Sequence, residues 1–429
     1  MITWVDWGIW LVYFAVIFTV LWFYRQSKND DIYQWFLKGF IVKVFGGIVF
    51  TLVSLNYYGG DTLLYFRGAS VLSNVLVDDP YLYFKLLFME NNLPSEFQHI
   101  ATQISYSRTA EEWYMVKFLS ILSFLSFNSY LVLTLMLNVI SFWGGWKLFK
   151  FFSDIIPKNK GHIFIIVFLF PSVFFWGNGI LKDTVTLALI NYIIYRMYFT
   201  IQNKSVSTYH LLTMIISAYV IYKLKSYIVL AFIPSAVFII YQYSKSKIKS
   251  TIVRFIAGPI LVVFFALLGF LSLKSLSQST NYSAENIQNH IKGFHTWHTT
   301  TGGSSYNLGD IEYTPVGIAS KIPAALNATF FRPYIWTARN PIMLIGALES
   351  TFVLLFFSFV LIKTRFRVFK YLSQNYYLQG LLIFVLLFGF AIGFTSYNFG
   401  ALARYKMPIY SLFIFILYYV NEQKNKASF

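Results

Sequence analysis

The sequence predicts an all-α, polytopic integral membrane protein that forms a single transmembrane domain over residues 1–429. Of the 429 residues, 57% are hydrophobic and only 12% are charged, and the mean hydropathy is +0.59. Apolar segments of roughly 20 residues, the length that a helix needs to cross the hydrocarbon core, recur along the whole chain. Short basic clusters separate many of these segments, as expected for connections between spans. We therefore expect about 11 to 12 transmembrane helices.

About eleven apolar segments are clear in the sequence. They cover residues 7–24, 39–57, 129–149, 162–178, 181–199, 208–223, 226–243, 252–273, 341–362, 378–396 and 405–420. A further stretch, residues 113–127, is apolar enough to cross, but a crossing there would move every later basic cluster to the opposite side. We therefore interpret it as an interfacial or re-entrant helix on the outer face.

The basic clusters predict the orientation in the membrane. They lie at Arg25 to Lys38, Lys147 to Lys160, Arg196 to Lys204, Lys245 to Arg254, Lys363 to Lys370 and Lys424 to Lys426. The positive-inside rule makes this side cytoplasmic, with the N-terminus outside and the C-terminus inside. Although the net charge is +17, its distribution between spans indicates orientation and no nucleic-acid partner. The absence of cysteine excludes disulfides and thiolate metal sites.

Two long outer loops are predicted, at residues 58–128 and 274–340. Loops of this length in a compact protein are usually functional. In the first, "DDPYLYFKLLFMENNLP" has charged ends and an aromatic middle, which is typical of a helix lying on the membrane surface. The first outer loop is therefore expected to carry interfacial helices.

Basic residues on the outer face are the strongest functional signal, because outer loops are normally poor in lysine and arginine. They are Lys182, Lys223, Lys225, Arg332 and Arg404. Cations at membrane depth suit the phosphate of a lipid-linked substrate. Asp61 follows two glycines at the end of the second span and is the candidate general base. The alternative for Asp61 is a turn or helix-capping aspartate.

Lys182 and Asp183 are adjacent in "PSVFFWGNGILKDTVTLALI". They could pair with each other while Asp183 caps the following helix, but neighbouring residues on a helix do not face each other. We expect Lys182 to contact phosphate and Asp183 to support it. Glu349, placed one or two turns below the outer surface, needs a cationic partner, for which Arg332 and Arg404 are the candidates.

His295 and His298 stand three residues apart in a Thr- and Gly-rich stretch. No acidic residue lies within a turn of them, so a supporting role is favoured over metal binding. No metal site and no resident cofactor are assigned, although a divalent cation is compatible with phosphate chemistry.

These features together resemble the GT-C superfamily of polytopic membrane glycosyltransferases. The matching elements are "GGD" at Asp61, the interfacial helices after it, the "PSVFFWGNGILKD" hairpin and "LARYK" at Arg404. The set is also similar to bacterial surface-polysaccharide membrane proteins, over most of the chain from Tyr57 to Pro408. The resemblance implies Asp61 as the catalytic base, although many members carry an acidic pair where this chain has Asp61 and Thr62.

The leading hypothesis is a glycosyltransferase of the bacterial cytoplasmic membrane. It would transfer a sugar from a polyprenyl-phosphate-linked donor to a glycan or lipid acceptor on the extracytoplasmic face, in cell-surface polysaccharide assembly, surrounded by membrane lipids. A second is an O-antigen-type polymerase using undecaprenyl-pyrophosphate substrates, which would depend more on arginines than on a base. A third, a transporter of lipid-linked oligosaccharide, predicts polar residues along a path through the bilayer, and such residues are sparse here.

Overall fold

The computed structural model of the protein describes residues 2–245, 304–312 and 314–426. Within these ranges the regular secondary structure is helical, apart from an isolated antiparallel bridge between Ser305 and Asn398. The contacts divide the chain into two compact units, Met1–Ser226 and Tyr227–Phe429. Each unit is described by itself below.

The first unit contains ten helices among its described residues, followed by the start of an eleventh. They are α1 (Trp4–Gln26), α2 (Phe36–Val53), α3 (Gly60–Asp78), α4 (Pro80–Phe88), α5 (Gln98–Ala101), α6 (Ala110–Leu125), α7 (Tyr130–Ile155), α8 (Lys160–Phe164), α9 (Pro171–Trp176) and α10 (Lys182–Gln202). Helix α11 (Thr208–Lys245) belongs to both units, and its backbone leaves the helical conformation at Lys225, where φ is −155° and ψ is 77°.

The second unit contains seven helices after α11 in its described residues. They are α12 (Pro315–Ser320), α13 (Ile322–Phe331), α14 (Pro341–Lys363), α15 (Val368–Leu372), α16 (Tyr376–Thr395), α17 (Phe399–Tyr405) and α18 (Met407–Lys426). In this unit α16 packs against α13 and α18, and α14 packs against α18. Aromatic rings fill these contacts, as where Phe330 of α13 lies 4.3 Å from Phe413 of α18 between ring centroids.

Seven helical segments of the described chain are long and apolar enough to cross a membrane, so the prediction of a multi-pass membrane protein is confirmed at this level. They are Trp4–Gln26, Asp31–Tyr57, Tyr130–Ile155, Lys182–Gln202, Thr208–Lys245, Pro341–Lys363 and Tyr376–Thr395. An eighth is added if α17 and α18, which meet at 70°, form one span.

The described residues contain fewer such segments than the eleven counted in the sequence, for identifiable reasons. Segments 208–223 and 226–243 fall within the single element α11. Segment 162–178 is divided into the short helices α8 and α9, because a wide helical turn at Ile165–Leu169 ends before Pro171. Segment 252–273 lies outside the described residues. Apolar length alone does not show where a helix breaks.

Close backbone contact joins α7 to α10 in the first unit. A Cβ atom on Gly144 of α7 would overlap the backbone of Ala188 in α10, so only glycine permits this approach. The two helices run side by side and bury Leu148, Ile194 and Tyr198, among other side chains. This pair forms the centre of the membrane-spanning part of the unit.

The predicted first outer loop folds into a packed helical layer within the first unit. Helices α3 and α6 contact each other along their length, and α4 packs against α3. Their shared core includes Leu72, Leu86 and Trp113. Helix α6, with 16 residues, covers the stretch that we interpret as interfacial. Its start is fixed by Thr109 and Glu112, whose side chains each accept a hydrogen bond from the other's backbone N–H, at 3.2 and 3.3 Å.

Candidate functional site

Asp61 lies in the first turn of α3, directly after a tight reversal of the chain. Gly59 and Gly60 make the reversal, with φ values of 54° and 63° that favour glycine. The Asp61 side chain is half-buried, and its Oδ1 accepts a hydrogen bond of 2.6 Å from the hydroxyl of Tyr106. Asp61 is thus held in place at a partly accessible position. Sequence reasoning did not find Tyr106, because the contact crosses 45 residues of chain.

Several acidic side chains gather around Tyr65, which is buried in α3. Burial raises the pKa of the Tyr65 hydroxyl above its ordinary range, and neighbouring charged and polar groups raise it further. These neighbours are Asp61, Glu112, Tyr106 and Asp183. Glu111 precedes Glu112 at the start of α6. We name Asp61, Glu111, Glu112 and Asp183 the carboxylate cluster.

Lys182 and Asp183 contact different partners, although they are adjacent. Lys182 Nζ lies 3.4 Å from Glu111 Oε2, and both side chains stay partly accessible, at 17% and 31% exposed. Asp183 Oδ1 lies 2.5 Å from Lys225 Nζ, and both of these side chains are buried. Asp183 is in the first turn of α10 but does not occupy the capping position, which belongs to Leu181. The pairing of Lys182 with Asp183 considered from the sequence does not occur.

Lys223 and Lys225 differ in accessibility. Lys223 is exposed, with its Nζ 5.7 Å from the ring centroid of Tyr219, whereas Lys225 is buried at the break in α11. Lys117 of α6 adds a further cation near Lys223 that sequence reasoning missed. Burial lowers the pKa of the Lys117 amine, and the charge of Lys223 lowers it further. Lys182 and Lys223 are therefore the accessible predicted lysines in this unit.

Arg332 follows α13 in the second unit and is surrounded by aromatic rings. Its guanidinium carbon lies 5.9 Å from the ring centroid of Tyr306, 5.7 Å from Tyr334 and 5.2 Å from Phe399. The Arg332 carbonyl accepts a 3.0 Å hydrogen bond from Ser350 Oγ, which fixes the backbone. The Nε atom is buried and has no hydrogen-bond partner among the described residues. The guanidinium thus lies among aromatic rings, and no ion pair of Arg332 is found with a described carboxylate.

Glu349 is buried in α14, next to Ser350. It lies within electrostatic reach of Lys406, at the bend between α17 and α18, and of Tyr410. The Lys406 Nζ stands 3.9 Å from the ring centroid of Tyr410. Arg404, in the last turn of α17, is half-buried. Lys406, which the sequence did not single out, is therefore a cation within electrostatic reach of Glu349.

The histidine prediction falls outside the described structure, as do the residues around His295 and His298. Within the described ranges no group of three or more His, Asp or Glu side chains could hold a metal ion. The structure thus brings predicted residues together in two groups, one per unit. In the first unit these are Asp61, Lys182, Asp183 and Lys225, and in the second Arg332 lies beside the turn of α14 that carries Glu349, through the hydrogen bond from Ser350.

The helices and these buried polar groups define the class of protein as an all-helical, multi-pass membrane protein. Ionisable residues at membrane depth are costly and are usually retained for function. No protein-family model, curated protein or solved structure matches the chain.

Proposed function

We propose that the protein is a GT-C-like membrane glycosyltransferase. It transfers a sugar from a polyprenyl-phosphate-linked donor to a glycan or lipid acceptor in bacterial surface-polysaccharide assembly. The proposed orientation places the first turns of α3 and α10 at the extracytoplasmic face of the cytoplasmic membrane, with the N-terminus outside, the C-terminus inside and about 11 to 12 spans in the whole chain. The observation that carries the proposal is the half-buried Asp61 carboxylate held by Tyr106, in the same unit as the accessible Lys182.

Asp61 acts as the general base in this reaction. The acceptor hydroxyl forms a bond to the anomeric carbon of the donor, and its proton passes to the Asp61 carboxylate. The bond between that carbon and the phosphate oxygen breaks at the same time, and polyprenyl phosphate leaves. The hydrogen bond from Tyr106 orients the carboxylate. A partly accessible carboxylate is required, because the acceptor must reach it.

Lys182 contributes positive charge to the leaving phosphate. Its present partner, Glu111, lies 3.4 Å away in a partly exposed pair, and such pairs are weak. A phosphate can therefore replace Glu111 at the Lys182 amine at little cost in free energy. Lys225 is unsuited to this role, since it is buried and a phosphate would have to break its buried ion pair with Asp183.

Arg332 favours a second candidate, a repeat-unit polymerase that releases undecaprenyl pyrophosphate. Its buried Nε has no hydrogen-bond partner among the described residues, and three aromatic rings hold the planar guanidinium in place. Arginine is suited to pyrophosphate because it donates several hydrogen bonds in a fixed geometry. In that reaction Arg332 would matter more than Asp61.

Complementation of a strain lacking the protein tests both candidates, with surface polysaccharide measured at matched membrane levels of each variant. The transferase predicts that Asp61→Asn and Lys182→Ala lose activity, by about 100-fold or more for the base. Asp78→Asn, at an exposed position of the same helix, is the matched control and should retain activity.

The polymerase predicts a different pattern. Arg332→Ala and Arg332→Lys would both lose activity, while Asp61→Asn would keep it. Arg339→Ala, at an exposed position, controls for loss of charge alone. Full activity of Asp61→Asn, Lys182→Ala and Arg332→Ala together would reject both reactions at these residues.

A further inference from the structure

Basic side chains also converge near the C-terminal ends of α7 and α10 in the first unit, away from the first turn of α10 that carries Lys182. Lys147 and Lys150 stand three residues apart on one face of α7, and Lys147 lies within electrostatic reach of both Lys150 and Arg196 of α10. We name Lys147, Lys150 and Arg196 the distal basic cluster. Arg196 is 14 residues after Lys182 on the same helix, a separation of about 21 Å along the axis. The cluster is therefore remote from Asp61.

The distal basic cluster has no ion pair among the described residues. Ion pairs of the first unit are formed instead by Lys85, Lys182 and Lys225. Asp30 lies within electrostatic reach of Lys150, where Lys28 adds a further cation, and Asp154 accepts a 2.7 Å hydrogen bond from Tyr198. Positive charges therefore outnumber the neighbouring carboxylates, and their mutual repulsion favours a bound anion.

Aromatic rings position these cations. Lys147 Nζ lies 4.4 Å from the ring centroid of Trp143 and 5.1 Å from that of Tyr195. The Arg196 guanidinium carbon lies 5.5 Å from Tyr195, and Arg196 Nε donates a 3.2 Å hydrogen bond to the Tyr192 hydroxyl. Lys150 Nζ lies 5.3 Å from the ring of Tyr33. The three basic side chains are half-buried and held by aromatic neighbours, which reduces the entropy cost of binding an anion relative to freely moving surface lysines.

The neighbouring surface indicates a lipid ligand. Tyr24 of α1 contacts Trp143 with ring centroids 6.1 Å apart, so α1 borders the cluster. On the adjoining face of α1, Val16, Val20 and Phe23 are each about 60% exposed. An apolar face of this kind on a membrane-spanning helix accepts acyl chains. A phosphate at the cluster would thus have hydrocarbon next to it.

We propose that the distal basic cluster binds the phosphate of an anionic phospholipid headgroup in the cytoplasmic leaflet. The two lysines and the arginine supply charge, and the Arg196 guanidinium supplies several donors to the phosphate oxygens. If these basic residues served only to orient the helices in the membrane, their number near the ends of the spans would be enough. They would not need to converge around aromatic rings. Binding here is independent of the sugar-transfer reaction.

Lipid retention measures the proposal directly. The purified protein is placed in nanodiscs of phosphatidylcholine mixed with phosphatidylglycerol, and the lipids that it retains are counted by native mass spectrometry. We expect the wild type to prefer phosphatidylglycerol, and the double variant Lys147→Gln, Arg196→Gln to reduce that preference about tenfold or more. The double variant Lys158→Gln, Lys204→Gln, which removes the same charge from exposed positions, should retain it.

Two further experiments distinguish loss of charge from misfolding, and a lipid headgroup from free phosphate. The charge-preserving variant Lys147→Arg, Arg196→Lys should keep the preference, so a loss caused by misfolding is distinguishable from a loss of charge. Inorganic phosphate is titrated onto the wild type and onto the Lys147→Gln, Arg196→Gln variant in pure phosphatidylcholine nanodiscs while the melting temperature is measured. Equal preference in the cluster and control variants would overturn the site, and cluster-dependent stabilisation by inorganic phosphate without anionic lipid would overturn the assignment to a headgroup.

Discussion

Lys225 donates a hydrogen bond from Nζ to Asp183 Oδ1 over 2.5 Å, joining the break in α11 to the first turn of α10. The side chains are 6% and 4% exposed, so each charge depends on the other. The pair explains why a lysine can stand where the α11 backbone leaves the helical conformation. It ties together parts of the first unit that are 42 residues apart.

Breaking this ion pair should destabilise the protein strongly. Lys225→Met removes the cation that Asp183 contacts in this buried position, and Asp183→Leu removes the carboxylate that the amine contacts, so we expect each to lower the free energy of unfolding by about 3–5 kcal/mol. The double variant removes both charges and should recover most of this loss. Thermal unfolding in detergent measures the effect, and strictly additive losses in the double variant would contradict the pairing.

Replacing Lys43 with methionine should raise the stability of the protein, whereas Lys225→Met should lower it. It is 1% exposed in α2, and no ion pair or hydrogen bond reaches its amine among the described residues. Lys43→Met removes the cost of a buried polar group without orphaning a partner, so we expect stability to rise by about 1 kcal/mol or more. Lys225→Met is the matched comparison. A drop in melting temperature for Lys43→Met would show that the amine has a stabilising partner.

Tyr106→Phe tests the positioning of Asp61. The substitution removes one hydroxyl and its 2.6 Å hydrogen bond while keeping the ring that packs on Tyr65. We expect surface-polysaccharide formation to fall about tenfold, because the base is no longer oriented, with membrane levels unchanged. Tyr81→Phe, at an exposed position of α4, is the control. Unchanged activity in Tyr106→Phe would show that the Tyr106 hydroxyl has no role in the reaction.

Alkaline pH should destabilise the protein partly through Tyr65. Its pKa in the folded state is raised by burial and by nearby acidic groups, so the unfolded chain loses this proton first as the pH rises past about 10. The stabilisation is therefore complete below that pH and declines above it, by at most about 1.4 kcal/mol per pH unit. Unfolding measured between pH 9 and about 11 should show a shallower decline for Tyr65→Phe. An identical decline in wild type and variant would exclude Tyr65 as the cause.

Gly144 should tolerate no larger side chain. A Cβ there would overlap the Ala188 backbone, so Gly144→Leu must separate α7 from α10, at a cost of about 3 kcal/mol or more. Gly8→Leu makes the same change in α1, where nothing lies within 4 Å of the added Cβ, and should be tolerated. Fluorescence-detected size-exclusion chromatography after heating compares the two. Equal melting temperatures would show that the helices separate easily.

Much of the membrane architecture was predictable because apolar length and basic clusters are local properties of the chain. The spans around α1, α7 and α14 agree with the predicted segments to within a few residues at most ends. The boundary predicted between segments 208–223 and 226–243 coincides with the break at Lys225, although the structure has a break within α11 where a turn between two spans was expected. The division before Pro171 was not predicted, since it depends on how the backbone packs.

The candidate site was predictable in its residue types but not in its pairings. Asp61, Lys182 and Arg332 stand out because charge is rare in so apolar a chain. Their contacts with Tyr106, Glu111 and the aromatic rings come from distant segments. The sequence did not show that Glu111, at the start of α6, would lie beside Lys182.

The sequence by itself determined that this chain enters a membrane, since burying its apolar segments in lipid avoids the cost of exposing them to water. It also marked the few charged residues that the membrane must accommodate. Only the tertiary structure decided which of those charges neutralise each other, as in Lys225 with Asp183, and which stay accessible, as in Lys182. The reason is that pairing energy depends on separation and burial, and both are set by packing between segments far apart in the chain.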